Sequence, residues 1–223
     1  MRVGVVQFPG TNCELDVVRV VRQLGGEAEL LFHADATTRG VDAVVVPGGF
    51  AHGDYLRAGA IARFSPVMEA VAEHANAGGP VVGICNGFQV LCEAGLLPGA
   101  LQKNAGLKFL CQPVGLRVET VTTVLTNQAT AGQILQIPIN HFEGNYVCDD
   151  RTLDALRAEE RIVVRYVANP NGARDDIAGI CNEGRNVVGL MPHPERASDE
   201  LLGSVDGLVM LRSLLASVPV GAQ

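Results

Sequence analysis

The sequence has no basic excess and no long apolar run, and each absence excludes a class of protein. Seventeen Lys and Arg stand against 24 Asp and Glu, a formal net charge of -7, which argues against a nucleic-acid-binding face. No apolar run approaches the roughly 18 residues of a membrane span. The N-terminus, with Arg2, Gln7 and Pro9, does not have the pattern of a secretion signal. Because 48% of the residues are apolar and 18% are charged, we expect a folded, soluble and cytoplasmic protein.

The six cysteines lack any spacing typical of a metal site. No two form a C-x-x-C pair and their separations match no zinc motif, so no metal is predicted. Without a secretion signal, a disulfide framework is not expected either. Free cysteine is among the most buried residue types, so five of the six are interpreted as small buried hydrophobic residues. These five are Cys13, Cys92, Cys111, Cys148 and Cys181.

Apolar runs alternate with helical patterns in the first half of the chain. Val3–Val6, Ala43–Val46 and Val81–Ile84 are apolar throughout, as strands buried on both faces of a parallel sheet are. Glu14–Leu24 and Pro66–Ala77 carry apolar residues at helical spacing, and Ser65 stands at the N-cap position of the second helix. This alternation predicts an α/β fold, a doubly wound and mostly parallel sheet flanked by helices.

The second half of the chain predicts a smaller mixed or antiparallel sheet. No linker, repeat or low-complexity stretch interrupts it, so residues 1–223 are expected to form one domain. Val114–Val118 and Thr122–Thr126 are predicted to pair as strands. Asp206 is expected to cap a closing helix, Gly207–Ser217, that packs Leu208, Leu211 and Leu215 on the sheet. The remaining predicted elements are a helix, Arg151–Glu159, and the strands Ile134–Ile139, Ile162–Val167, Ile177–Cys181 and Val187–Leu190.

One cysteine stands in a motif that suggests catalysis. Gly83-Ile84-Cys85-Asn86-Gly87 lies between an apolar strand and a helix predicted over Phe88–Ala94. This is a G-x-C-x-G nucleophile elbow, in which glycines permit a tight turn around an exposed nucleophile. The N-terminus of the following helix favours a thiolate, the reactive form of cysteine. Taken alone, the motif also fits a structural thiol.

A histidine that could serve this cysteine lies near the C-terminus. Met191-Pro192-His193-Pro194-Glu195 follows the predicted strand Val187–Leu190. A carboxylate two residues away can orient the imidazole, and the flanking prolines stiffen the loop. Taken alone, His193 also fits a structural role, as a histidine that caps a proline-rich turn. Because strand ends converge at the carboxyl edge of an open α/β sheet, Cys85, His193 and Glu195 are predicted to form a catalytic triad.

A third strand end carries consecutive glycines. Pro47-Gly48-Gly49-Phe50 follows Val44–Val46, and its backbone N–H groups can face a developing oxyanion. The N–H of Asn86, directly after the nucleophile, would be the partner donor. The segment does not match a phosphate-binding loop, because it lacks both the G-x-x-x-x-G-K spacing and a following lysine.

These motifs together resemble the triad-type, or class I, glutamine amidotransferases. Within that class, the chain is similar to the family of glutaminase subunits of phosphoribosylformylglycinamidine synthases. Two segments depart from that family's pattern: Ala51-His52, where a small residue and an aromatic are usual, and Phe142, where glycine is expected. The segments that carry the finer resemblance are Phe8–Cys13, Gly53–Arg57, Gly59–Pro66, the Cys85-Asn86-Gly87-Phe88-Gln89 elbow, Asn169–Gly172 and Met191–Arg196.

The resemblance implies a reaction and roles for the residues. Cys85 would attack the carboxamide of L-glutamine and form a thioester, while His193, steadied by Glu195, would move the protons. Gln89 would contact the substrate, and the loop at His141 and Phe142 would hold its α-carboxylate and α-amine. The resemblance implies no cofactor in this chain. ATP and magnesium would be used by a synthetase subunit that receives the ammonia, with a small accessory subunit in the complex.

Three other functions fit parts of the sequence. A stand-alone cysteine hydrolase can use a similar sheet, but Gln89 and the loop around His193 favour amidotransfer. A glutaminase of another pathway is disfavoured by the Gly53–Pro66 stretch. An inactive regulatory subunit is disfavoured because all three triad residues are present.

Overall fold

A computed structural model describes residues 1–218, and its main feature is one nine-stranded sheet. The strand order is β2-β1-β3-β4-β11-β10-β9-β6-β7, and β5 and β8 pair separately as a small antiparallel sheet. The strands are β1 Arg2–Gln7, β2 Glu27–Phe32, β3 Ala43–Val46, β4 Val81–Ile84, β5 Ala100–Gln102, β6 Leu110–Val118, β7 Ile134–His141, β8 Asn145–Val147, β9 Ile162–Tyr166, β10 Ile177–Cys181 and β11 Val187–Leu190. The helices are α1 Glu14–Gln23, α2 Pro66–Asn76, α3 Asn86–Glu93, α4 Asp150–Ala158 and α5 Gly207–Ala216.

The predicted fold class is confirmed. Strands β2, β1, β3, β4 and β11 run parallel, and β10, β9, β6 and β7 continue the same sheet in antiparallel fashion. Strands β3, β4 and β11 are buried along their whole length, as is typical of parallel strands covered on both faces. The antiparallel β10 is buried throughout as well. The longest helix within the described range, α2, has 11 residues, and none there could cross a membrane.

The prediction of a strand over Thr122–Thr126 is wrong. These residues form turns, and β6 pairs with β7 instead. Thr123 Oγ1 accepts from the Leu125 N–H and lies 2.7 Å from Thr126 Oγ1. Such local side-chain bonds compete with strand pairing. The Arg185 guanidinium also donates to the hydroxyls of Thr120 and Thr122, which holds this segment against the turn between β10 and β11.

Neither predicted cap makes a side-chain capping bond. Ser65 and Asp206 occupy the N-cap positions of α2 and α5, but without a side-chain bond to the helix. Ser65 Oγ lies 3.3 Å from His52 Nε2, and Asp206 instead accepts from the Gln136 N–H on β7. On α5, Met210, Leu211 and Leu214 are the buried apolar residues, while Leu208 and Leu215 are half-buried.

Only two of the five cysteines interpreted as buried are buried. Cys13 and Cys181 lie in the interior, Cys92 and Cys148 are half-buried, and Cys111 on β6 is exposed. All of them are free thiols. Cys111 is the first of three consecutive exposed residues at the start of β6, before the part of the strand in which every second residue is buried.

The topology places three predicted site segments at one edge of the sheet. β3, β4 and β11 are neighbours, with Val46 opposite Gly83 and Ile84 opposite Leu190. The segments that follow these strands therefore leave the same carboxyl edge side by side. They contain, in order, the glycines after β3, Cys85 after β4 and His193 after β11.

Candidate active site

Cys85 stands in a strained turn between β4 and α3. Its backbone has φ +52° and ψ -106°, a conformation that is rare for non-glycine residues and concentrated at functional sites. Its N–H donates to the Leu190 carbonyl at 2.8 Å, which ties the turn to β11. The residue is 5% exposed, and its Sγ lies 3.6 Å from the Asn140 carbonyl oxygen. The positive end of the α3 dipole adjoins this residue.

The turn depends sterically on Gly87. A Cβ there would lie 1.8 Å from the Val46 carbonyl oxygen, and β3 cannot retreat without losing its pairing with β4. We expect Gly87→Ala to lower the free energy of unfolding by about 3 kcal/mol or more, the upper end of overpacking costs. Urea denaturation measures this loss. Gly106→Ala is the control, because nothing lies within 4 Å of a Cβ there; an equal loss in both variants would contradict the steric account.

His193 and Glu195 form a buried pair. The His193 Nδ1–H donates to Glu195 Oε1 at 2.6 Å, and the two side chains are 1% and 0% exposed. The His193 N–H donates to the Pro138 carbonyl on β7 at 2.9 Å, which fixes the loop. Burial alone would lower the pKa of His193, but the negative charges of Glu195 and Cys85 outweigh it and raise the pKa well above its usual range. Nε2, the other ring nitrogen, has no hydrogen-bond partner among the described residues and is free for proton transfer.

The structure thus brings Cys85, His193 and Glu195 together at the carboxyl edge of the sheet. The negative charge of Cys85 is one of the causes that raise the pKa of His193. A thiol, an imidazole and a carboxylate in this order can generate a thiolate, protonate a leaving group and keep the imidazole in one orientation. The arrangement can therefore perform acyl transfer from an amide.

A second thiol, which the motifs did not reveal, lies behind the histidine. The ligand atoms of Cys13, His193 and Glu195 are within 4.8 Å of one another. The Arg196 guanidinium donates to Cys13 Sγ at 3.2 Å, and this positive charge opposes a metal ion at the cluster. A Cβ on Gly48 would lie 2.7 Å from His193 Cε1 and 3.1 Å from Cys13 Sγ. Gly48 therefore makes room for the imidazole, and its carbonyl accepts from the Cys13 N–H at 3.2 Å; its place in the oxyanion site stays a prediction.

The loop after β3 leaves the backbone amides of Gly48 and Gly49 without an acceptor among the described residues. The N–H of Phe50 donates to the Gly10 carbonyl, and that of Ala51 donates to Asn86 Oδ1 at 3.0 Å. The Gly49 N–H has no acceptor within residues 1–218. Gly49 has φ +151°, and a Cβ there would lie within 3.0 Å of three backbone atoms of the Gly10–Asn12 segment. The N–H groups of Gly49 and of Asn86, in the first turn of α3, are the pair available to an oxyanion.

A cavity of about 200 Å³ opens onto the nucleophile. This volume is smaller than the roughly 300–1,000 Å³ of pockets for drug-sized ligands and suits a small molecule. The Asn86 side chain donates to Gln89 Oε1 at 2.8 Å, and Gln89 Nε2 donates to the Glu143 carbonyl at 2.5 Å. Gln89 therefore connects α3 with the loop after β7. The lining residues are Gly49, Phe50, Asp54, Cys85, Gln89, Asn140, His141, Phe142 and Glu143.

His141 is buried at the cavity with neither ring nitrogen bonded to any described residue. Burial, and then the charge on His193, lower the pKa of His141 to about 4, so this imidazole is neutral near pH 7. The loop after it is held by two buried asparagines. Asn104 Nδ2 donates to the His141 carbonyl and Asn104 Oδ1 accepts from the Gly144 N–H, while Asn171 Nδ2 donates to the Gly144 carbonyl.

The two departures from the family pattern have different consequences. Phe142 does not have a left-handed φ, so a side chain there causes no backbone strain. His52 does have one, at +54°, and its ring lies edge-on to His33 with ring centroids 5.5 Å apart. Burial, followed by the charge of His33, lowers the pKa of His52. His52 thus belongs to a small ring cluster beside the site and does not line the cavity.

Comparisons with known proteins agree with this geometry. The family model of the CobB/CobQ-like glutamine amidotransferase domain matches residues 1–206. The chain is 59% identical over 220 residues to phosphoribosylformylglycinamidine synthase subunit PurQ of Rubrobacter xylanophilus, covering 99% of this chain and 100% of the relative. It is 54% identical to the PurQ subunit of Koribacter versatilis, covering 98% and 99%. A solved structure of PurLQS from Thermotoga maritima is similar with TM-score 0.90 and 41% identity, covering 98% and 99% of the two chains.

Proposed function

We propose that this chain, which belongs to the CobB/CobQ-like glutamine amidotransferase domain family, is the glutaminase subunit of phosphoribosylformylglycinamidine synthase. The observation that carries the proposal is that Cys85, in its strained turn at the cavity, and the buried His193–Glu195 pair follow two neighbouring parallel strands at one edge of the sheet. Four PurQ relatives at 52–59% identity over 96–99% of this chain support it. The chain would hydrolyse L-glutamine to glutamate and ammonia. A synthetase subunit would use that ammonia to convert formylglycinamide ribonucleotide into formylglycinamidine ribonucleotide in purine biosynthesis.

The mechanism follows from the positions of the side chains. Cys85 gives its thiol proton to His193, and the resulting thiolate attacks the carboxamide carbon. The N–H groups of Gly49 and Asn86 stabilise the oxyanion of the tetrahedral intermediate. His193 gives its proton to the leaving nitrogen, so ammonia departs and a glutamyl thioester remains. A water molecule, deprotonated by His193, then attacks the thioester and releases glutamate. Glu195 accepts the Nδ1–H bond throughout and stabilises the imidazolium.

The partner supplies what this chain lacks. The sequence carries neither a G-x-x-x-x-G-K loop nor a G-x-G-x-x-G turn after a strand, so ATP and magnesium are assigned to the synthetase subunit and no cofactor to this chain. The similarity to a chain of the PurLQS structure from Thermotoga maritima supports assembly with further subunits, which we assign as a synthetase and a small accessory subunit. We propose further that residues 1–223 act as one domain, in the cytoplasm.

The test is glutamate release with and without the synthetase. We expect the isolated chain to hydrolyse glutamine slowly and the complex, loaded with acceptor nucleotide and ATP, to do so roughly 5- to 150-fold faster, the range of typical allosteric coupling. Such coupling prevents waste of glutamine, because ammonia released without a bound acceptor is protonated and no longer reacts as a nucleophile. Complexes assembled with the Cys85→Ala chain give the background. No acceleration together with no co-elution of the two proteins would contradict the proposal and favour a stand-alone cysteine hydrolase.

A further inference from the structure

The buried carboxylate of Glu195 has only part of its bonding satisfied. Its Oε1 accepts from His193 Nδ1–H at 2.6 Å, and its Oε2 has no hydrogen-bond partner among the described residues. The side chain is 0% exposed, so bulk solvent does not reach this second oxygen. A buried negative charge that is incompletely bonded favours positive charge beside it. Against the effect of burial, the charge of Glu195 therefore favours the protonated form of His193.

A second cation stands beside this pair. Arg196 follows Glu195 directly in the chain, and its guanidinium donates to Cys13 Sγ at 3.2 Å. Its Nε lies 3.5 Å from Asp16 Oδ2 on α1. Burial works against the charge of the guanidinium, but the neighbours Cys13, Glu195 and Asp16 outweigh burial and raise the pKa of Arg196. The charge of Glu195 is therefore shared between two cations, the imidazole and the guanidinium.

Cys13 fixes the guanidinium on this side of the triad. It is the N-cap residue of α1 and is 2% exposed. Its N–H donates to the Gly48 carbonyl at 3.2 Å, and its thiol donates to Asn12 Oδ1 at 3.1 Å. Sulfur and imidazole pack on the same glycine, since a Cβ on Gly48 would lie within 3.1 Å of both. The acceptor of the Arg196 bond is thus held beside the His193 ring.

The other groups around His193 do not supply a second positive charge. His141 is neutral near pH 7, because burial, and then the charge on His193, lower its pKa to about 4. The remaining neighbours are thiols and carboxylates. The titratable and charged groups around the ring are Glu195 and Arg196 on its own loop, Cys85 at the start of α3, Cys13 and Asp16 at the start of α1, and His141 at the end of β7.

We propose that Arg196 is a positioning residue that supplies a fixed positive charge behind the His193–Glu195 pair and keeps the imidazole unprotonated after ammonia has left. This inference rests on the proposed glutaminase function and adds a residue to its mechanism. Release of ammonia needs the imidazolium as an acid, whereas hydrolysis of the thioester needs the neutral imidazole as a base. In the thioester Cys85 is uncharged, so Glu195 and Arg196 act on the imidazole in opposite directions. Without the guanidinium, the imidazole would take a proton from solvent and could not deprotonate water.

The test is the pH dependence of glutamine hydrolysis by the complex with the synthetase. Arg196→Gln removes the charge and keeps a donor for Cys13, whereas Arg196→Lys keeps the charge. In Arg196→Gln the pKa of His193 in the thioester form should rise, so the acid limb of the kcat profile should move up by about one pH unit, the lower end of the effect of a neighbouring charge. Near pH 7 kcat should fall roughly tenfold, while kcat/KM, which reports the steps up to ammonia release, should stay within about threefold. Arg196→Lys should retain both values within about threefold. Mass spectrometry of the acid-quenched chain should show more glutamyl thioester in Arg196→Gln than in Arg196→Lys.

The controls separate the charge of Arg196 from folding and from the proposed function. Arg19→Gln removes an exposed arginine of α1 whose guanidinium donates to Ser198 Oγ at 3.4 Å, and it should leave the profile unchanged. Ammonia-dependent synthesis checks that each variant complex is assembled. If Arg196→Gln does not assemble, Cys13→Ala, which removes the acceptor of the guanidinium, should move the acid limb up, and Cys13→Ser should not.

Three results would overturn the inference: an acid limb that does not move, losses of kcat that are equal in Arg196→Gln and Arg196→Lys, and a fall of kcat/KM as large as that of kcat. An unsubstituted complex that does not hydrolyse glutamine would refute the glutaminase function itself, and the inference with it.

Discussion

Cys85→Ala is expected to abolish glutamine-dependent synthesis by the complex and to leave ammonia-dependent synthesis intact. The variant lacks the sulfur that forms the thioester, so the rate with glutamine should fall roughly 10⁴- to 10⁶-fold, as it does when a catalytic nucleophile is removed. Free ammonia at high concentration bypasses this chain and reaches the synthetase directly. The measurement is formation of the amidine product from each nitrogen source under otherwise identical conditions.

The matched control for this variant is Cys111→Ala. Cys111 is an exposed thiol on β6, and its removal should change neither activity. If Cys85→Ala lowered the glutamine- and ammonia-dependent rates equally, Cys85 would be a structural residue whose loss disrupts the complex.

The second large effect is expected at His193. His193→Ala removes the group that exchanges protons with the leaving nitrogen and with water, so glutaminase activity should fall roughly 10²- to 10⁴-fold. Glu195→Gln should cost less, because Gln can still accept the Nδ1–H bond. The neutral amide no longer offsets the effect of burial on His193, so the pKa of His193 should fall. The alkaline limb of the kcat/KM profile should therefore move to lower pH.

One result for Glu195→Gln and His193→Ala would contradict the role assigned to Glu195. A Glu195→Gln protein as inactive as His193→Ala, with an unchanged unfolding midpoint and an unchanged pH profile, would show that Glu195 does more than orient and charge the imidazole. Ser198 offers a control next to the site. Its hydroxyl donates to the Glu195 backbone carbonyl at 2.8 Å, so Ser198→Ala should lower stability without shifting the pH profile.

The triad could be predicted because each of its parts follows an apolar strand within a short motif. Val81–Ile84 and Val187–Leu190 are strands with the predicted bounds, and their parallel pairing brings Cys85 and His193 to one edge. Continuous β-branched runs are an unambiguous signal for buried parallel strands. Local sequence patterns therefore predict the strands that position the site.

Other features depend on contacts between distant parts of the chain, which local patterns do not encode. The Arg196 guanidinium, 183 residues away in the sequence, donates to Cys13 Sγ. Nothing in the sequence around Cys13 distinguishes it from a thiol of the core. Asp54 faces the cavity only because three consecutive residues adopt positive φ. β2 was missed because this edge strand alternates Glu27 and Glu29 with smaller or apolar residues, so it lacks the apolar run that marks the central strands.

The central claim, that Cys85 is the nucleophile for glutamine, is tested most directly by covalent labelling. The complex is treated with an electrophilic glutamine analogue, digested, and mapped by mass spectrometry. We predict that the analogue is attached to Cys85, that excess L-glutamine prevents the labelling, and that His193→Ala slows it. Labelling of Cys13 or Cys92 in place of Cys85, unaffected by glutamine, would contradict the account.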